Sequence, residues 1–302
     1  MIDALETIHL GKRYGKLWAL SNCTLNVPVG RVAGLVGPNG AGKTTLLHMA
    51  VGLLAPTTGS IKVLGLSPYE QPDKLLSRVG FISQEQSLYR SFKVEDMLTF
   101  GQKMNPRWDA NFAQKQIEQL GIAPKRTIAQ LSGGQHAQVA LVMTLAKKPE
   151  LLLLDEPLAS LDPLARRGFE QMLMRAVVED GLTVLISSHL VGELERICDY
   201  LVMLSAASVQ LSSDIEELLT THKRLIGPRQ AASAPVRTHD VIQATHTERQ
   251  STLLARMNGP ELDPAWEVED VSLEEIILAY LAHPQARIPS GEGVSSILEI
   301  IS

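Results

Sequence analysis

The chain has 302 residues, 45% hydrophobic and 20% charged, the composition of a globular protein with material for one large domain or two modest ones. A formal net charge of −5 argues against a nucleic-acid partner, because phosphate recognition leaves a basic footprint. Two cysteines, Cys23 and Cys198, cannot build a disulfide framework, and no apolar run approaches the ~18 residues of a membrane span.

The opening "MIDALETIHLGKRYG" lacks an apolar signal core, so a soluble, intracellular protein is expected. Tyr14 by itself reads as packing, with stacking on a purine as the functional alternative. "RVAGLVGPNGAGKTTLLHMAVGLL" predicts a buried strand over Val32–Val36, a glycine-rich turn, and a helix opening near Gly42. The turn, Gly37, Pro38, Asn39, Gly40, Ala41, Gly42, Lys43, Thr44 and Thr45, fits G-x-x-x-x-G-K-[ST]. Glycines there let backbone amides face phosphate oxygens, while Lys43 reaches the outer phosphates and the Thr44 hydroxyl can ligate Mg²⁺.

"RVGFIS" is a further strand, followed by Gln84, either an ordinary surface glutamine or a sensor of metal and attacking water. The next stretch predicts a helical insertion broken at Asn105–Pro106. Beyond it "LSGGQ" places Ser132, Gly133, Gly134 and Gln135 in a second loop shaped for close approach to an oxyanion. "LLLLDEP" then sets two acids at the end of a buried strand. Asp155 is placed to hold Mg²⁺, directly or through water, and Glu156 to polarise a water at the γ-phosphate. "LTVLISSH" is a strand ending at His189, which alone is structural or a γ-phosphate contact. Short apolar strands alternating with helical patterns predict an α/β fold with a largely parallel sheet.

The pattern changes after Leu225. "GPRQAASAP" reads as a linker over 227–235, dividing a domain over 1–226 from an appendage over 236–302. "DVIQATHTERQSTLLARM" suggests two strands around a polar turn and "WEVEDV" a third. "SLEEIILAYL" opens with a capping box of Ser272 and Glu275. A small α+β unit that packs independently is expected.

Tyr14, "GPNGAGKTT", Gln84, "LSGGQ", "LLLLDEP", "SLD" with Asp162, and His189 stand in the order that resembles ATP-binding cassette ATPases, over roughly residues 2–225. The resemblance implies a P-loop cassette with a mixed sheet, a helical signature subdomain over about 85–140, and a small α+β C-terminal appendage. It implies ATP and Mg²⁺ as cofactors, with Tyr14 at the adenine. Glu156, His189 and Gln84 become the hydrolytic residues, and Thr44, Gln84 and Asp155 the metal set. Ser132–Gln135 would serve the ATP of the other subunit in a head-to-tail dimer with a second copy or a paralogue, and Asp162 would couple the sites. It further implies a separate membrane permease, received near Glu85–Leu98, and peripheral attachment to the cytoplasmic face of the membrane. "EVEDVSLEEIILAYL" is similar to ATPase subunits of drug or antibiotic exporters; an importer is the alternative reading, and a non-transport cassette acting on nucleic acid or ribosomes a further one.

Overall fold

The computed structural model describes residues 3–85, 88–159, 161–229, 240–258 and 265–282. Among these residues three sheets form. The central one has six strands in the order β5-β6-β7-β3-β8-β9. Its strands are β3 (Val32–Val36), β5 (Val79–Ile82), β6 (Leu151–Asp155), β7 (Thr183–Ser188), β8 (Tyr200–Ser205) and β9 (Ser208–Asp214). All pairs but the last are parallel, and β9 joins β8 antiparallel. Every residue of β3, β6 and β7 is buried. Strands covered on both faces have no solvent side, which is why these segments read as continuous apolar runs.

A three-stranded antiparallel sheet, order β2-β1-β4, lies in the N-terminal part and comprises β1 (Asp3–Tyr14), β2 (Leu17–Pro28) and β4 (Thr58–Val63). Its apolar residues share one core with the helix α1 (Lys43–Ala50), whose Leu46, Leu47 and Met49 are buried, and with Leu75 of the short helix α2 (Pro72–Leu76). This sheet was not foreseen from the sequence. The helical insertion is present as α3 (Val94–Met104), α4 (Ala110–Gln119) and α5 (Gly133–Ala146). Asn105 ends α3 where the break was expected. After β6 the chain forms α6 (Pro163–Asp180), capped at its start by Asp162 and closed by Gly181 in the left-handed region at φ 65°.

The C-terminal region departs from expectation. The strands over Asp240–His246 (β11), Gln250–Arg256 (β12) and Glu267–Asp270 (β13) form as foreseen, and Ser272 and Glu275 cap α9 (Leu273–Ala282) reciprocally. A fourth strand, β10 (His222–Pro228), lies between β12 and β13 in that sheet. The boundary expected at 226 therefore falls inside a strand, Gly227 and Pro228 belong to it, and residues 230–235 of the expected linker lie outside the described residues, as does the apolar tail beyond 282. Nor does the appendage pack independently. Leu273, Ile276, Ile277 and Tyr280 of α9 enter the same core as Leu201 and Leu211 of the central sheet. The reason is that α9 lies against α7 (Val191–Leu194), α8 (Ile215–Thr221) and β11 at once. The buried His222 fixes this junction: its Nδ1 lies 2.9 Å from the Leu218 carbonyl and its Nε2 3.1 Å from the Tyr280 hydroxyl. Burial holds the His222 imidazole below its ordinary pKa and pushes the Tyr280 phenol up to about 12, so both are neutral at pH 7.

This packing predicts that Ile276→Ala, at a fully buried position, destabilises the whole chain by about 2–5 kcal/mol. Urea denaturation followed by far-UV circular dichroism checks it; an unchanged midpoint would show that α9 is no part of the main core.

Candidate nucleotide site

Three parallel strands deliver the site. The carboxyl ends of β3, β6 and β7 lie side by side, and ligands of open α/β sheets sit beyond such ends. From β3 the chain enters the loop over Gly37–Gly42. A Cβ on Gly37 would stand 2.2 Å from the Leu204 carbonyl oxygen, and one on Gly42 2.5 Å from that of Ala19. Gly42 is also left-handed, with φ 102°, as it enters α1. Only glycine fits at either place.

The loop wraps Lys43, which is 5% exposed. Its ammonium donates to the carbonyls of Gly37 at 2.7 Å and Pro38 at 3.3 Å, and lies 3.7 Å from Glu156 Oε1. Glu156 has φ 46°, an unusual conformation for a residue with a side chain. Its amide donates to Ser187 Oγ at 2.9 Å, and that hydroxyl donates to Asp155 Oδ1 at 2.8 Å. The other Glu156 oxygen, Oε2, is 3.1 Å from His189 Nδ1. Both acids are thus held from the ends of β6 and β7.

A cleft of about 710 Å³ runs along the loop, lined by Asn39–Thr45, Gln84, Glu156 and His189. A groove of about 610 Å³ next to it is lined by Thr44, Gln84 and Asp155 together with Leu53, Phe81, Leu88 and Met143. Thr44 and Gln84 belong to both. A hydroxyl, an amide oxygen and one carboxylate form an all-oxygen set. Such a set suits Mg²⁺, which keeps several waters and takes its remaining ligands from phosphates.

Other foreseen residues stand elsewhere. Tyr14 ends β1, 48% exposed, with Lys12 Nζ 5.4 Å from its ring centroid, and it does not line the cleft. Leu17, Trp18 and Ala19 do. Trp18, over whose ring the Arg13 guanidinium lies at 5.4 Å, was missed although its aromatic character was the available signal. Ser187 was missed too; the serines that end the apolar run of β7 were the clue. Ser132, Gly133, Gly134 and Gln135 are absent from the cleft. Ser132 caps α5, accepting from the Gln135 amide while Gln135 Oε1 accepts from the Ser132 amide, both at 3.2 Å. Asp162 accepts from the amides of Leu164 and Ala165 at the start of α6. There α5 and α6 touch closely: a Cβ on Gly134 would stand 2.5 Å from that of Ala165.

The chain matches the ABC transporter family over residues 20–159, which span the loop, Gln84, the Ser132–Gln135 turn and both acids. It is 31% identical over 222 residues to the bacitracin transport ATP-binding protein BcrA of Enterococcus faecalis, covering 73% of this chain and 71% of that one. This chain belongs to the ATP-binding subunits of ABC transporters. It is also 34% identical over 208 residues to the Nod factor export ATP-binding protein I of Rhizobium johnstonii, covering 67% of each. A solved ATP-binding subunit of an ABC transporter superposes with a TM-score of 0.65 at 25% identity, over 72% of this chain and 92% of that one. The protein is thus an ABC-type ATPase, and among the described residues no helix is long and apolar enough to cross a membrane.

Ser187 is fully buried and joins the two acids of this ATPase. Ser187→Ala leaves the Glu156 amide without its acceptor, which is expected to cost about 1–3 kcal/mol of stability and to lower turnover. Denaturation and steady-state ATPase assays check it; wild-type values in both would contradict the bridging role.

Proposed function

We propose that this ATPase works as a head-to-tail dimer, with each Mg-ATP held between Gly37–Thr45 of one chain and Ser132–Gln135 of its partner, and that it drives a separate membrane permease. The observation that carries the reading is the separation of the two loops: the cleft holds the phosphate loop, Gln84, Glu156 and His189 but none of the signature residues. Ser132 and Gly133 lie on the surface, and a Cβ on Gly133 would meet nothing within 4 Å. Such a loop is open to a ligand from another chain. The Ser132 hydroxyl and the amides that begin α5 are suited to a γ-phosphate that the first loop contacts from one side.

Within the cleft the residues divide the work. Lys43 releases Glu156 when phosphate oxygens replace the carboxylate as its partner, which leaves Glu156 to orient the attacking water. His189 bonds Glu156 Oε2 and orients it from the far side. Asp155, Thr44 and Gln84 would hold Mg²⁺, which spreads the charge of the outer phosphates. Leu17 and Trp18 offer the cleft an apolar end for the base. Asp162, at the contact between α5 and α6, would link the two composite sites. The groove lined by Leu53, Phe81, Leu88 and Met143 is suited to a short permease helix, and attachment there would place the subunit on the cytoplasmic face of the membrane. The names of the relatives, bacitracin transport and Nod factor export, support export of a drug, antibiotic or other small amphiphile.

Glu156→Gln is expected to retain ATP binding while lowering turnover by about 100-fold or more, and to accumulate as an ATP-bound dimer. Nucleotide titration, phosphate release and light scattering with Mg-ATP measure the three quantities. Turnover near wild type would remove Glu156 from the chemistry, and a monomer saturated with ATP would remove the shared site.

A further inference from the structure

An ion pair between a half-buried guanidinium and a buried carboxylate stands outside the cleft. Ser188, the residue before His189, has its hydroxyl 2.9 Å from Glu193 Oε2 and accepts from the Leu190 amide at 3.0 Å. Glu193, on α7, is 8% exposed, and its other oxygen lies 2.8 Å from Arg166 Nη1. That approach is out of line for a hydrogen bond. Glu193 Oε1 and Arg166 Nε are both among the buried polar atoms without a hydrogen-bond partner. Charge rather than hydrogen-bond geometry joins the pair.

Arg166 stands in the first turn of α6. Its amide donates to the Asp162 carbonyl at 2.9 Å, and its Nη2 reaches the Leu158 carbonyl at 3.4 Å, in the loop that follows Glu156. The residue before it, Ala165, is the one pressed against Gly134 of the signature turn. A continuous path therefore runs from Gly134 through Ala165, Arg166, Glu193 and Ser188 to His189 and Glu156. The pair ties α6, which follows the loop after Glu156, to α7, which follows His189. Its Leu194 neighbour is fully buried in the core that α9 enters, which gives α7 a firm backing.

We propose that Arg166 and Glu193 are positioning residues for ATP hydrolysis, holding His189 against Glu156 and carrying the position of the signature edge to the hydrolytic site of the same chain. The inference rests on the assignment of Glu156 and His189 to hydrolysis. When a partner's nucleotide engages Ser132–Gln135, α6 is the element the signature helix presses on, and Arg166 is its link to α7. Each chain would then sense, at its own His189, whether its signature turn is occupied.

The test is steady-state ATPase kinetics of the full-length chain with Mg-ATP. Glu193→Gln keeps the size of the side chain and an acceptor for Ser188 while removing the charge. It is expected to lower kcat about tenfold with KM for ATP changed less than about twofold, the pattern of an interaction used after binding. Arg166→Lys, which keeps the charge, should stay within about threefold of wild type, whereas Arg166→Met should lose as much as Glu193→Gln. The double variant Arg166→Met/Glu193→Gln should be no worse than the more damaged single variant, because both act through one pair. It leaves no unpaired buried charge, so it carries the comparison should a single variant fail to fold. Wild-type kcat in folded Glu193→Gln or in the double variant would overturn the proposal, as would equal losses in Arg166→Lys and Arg166→Met. Glu156→Gln assayed alongside separates the two claims. Normal turnover there removes the hydrolytic reading and the proposal with it, whereas an inactive Glu156→Gln beside a fully active Glu193→Gln overturns the positioning role alone.

Discussion

The Lys43 ammonium is the constraint around which the rest is arranged. A cation only 5% exposed must be met by nearby oxygen, because an unpaired charge away from water is very costly. Two loop carbonyls and the Glu156 carboxylate meet it here. The loop can turn its carbonyls onto Lys43 only because Gly37 and Gly42 lie where a Cβ would strike neighbouring backbone. Ser187 accepts from the Glu156 amide and so helps fix the left-handed backbone from which Glu156 reaches Lys43. An anion with more oxygens than one carboxylate satisfies the same cation better, so this arrangement favours a polyphosphate.

The signature turn stands outside the cleft. Within one chain the cleft is lined by the loop, Gln84, Glu156 and His189, and by none of the signature residues. Ser132 meanwhile satisfies its own helix end through Gln135. The turn is locally complete yet exposed, the state expected of a surface that awaits a second ligand contact. At Gly134 and Ala165 this turn bears directly on α6.

Much of this was legible in the sequence. The strands buried on both faces announced themselves as "VAGLV", "LLLLD" and "TVLIS", and the loop residues carry their chemistry at fixed spacing. The N-terminal sheet was not, because only one face of β1 and β2 is buried and their register shifts blur the alternation. Strand β10 was missed because His222–Pro228 ends in Gly-Pro, which signals a linker. Gly227 is there instead because the Trp266 ring lies where a Cβ would be, 2.6 Å away. The union of α9 with the cassette core also escaped the sequence reading. An apolar helix shows that it will be buried but not against which element, and here tertiary contacts with α7 and α8 decide. Tyr14 and Trp18 sit on neighbouring strands of one hairpin, and residue type alone does not say which lines the cleft.

If each ATP site is shared between two chains, two differently damaged chains should complement one another. Lys43→Ala removes the cation from one side and Ser132→Arg blocks the other, so neither chain alone can assemble a sound site. Mixed, they can form a heterodimer with one intact composite site. Light scattering with Mg-ATP is expected to detect dimers in the mixture and in neither variant by itself. No pairing in the mixture, with both chains folded and the Ser132→Arg chain still binding ATP, would contradict the shared site.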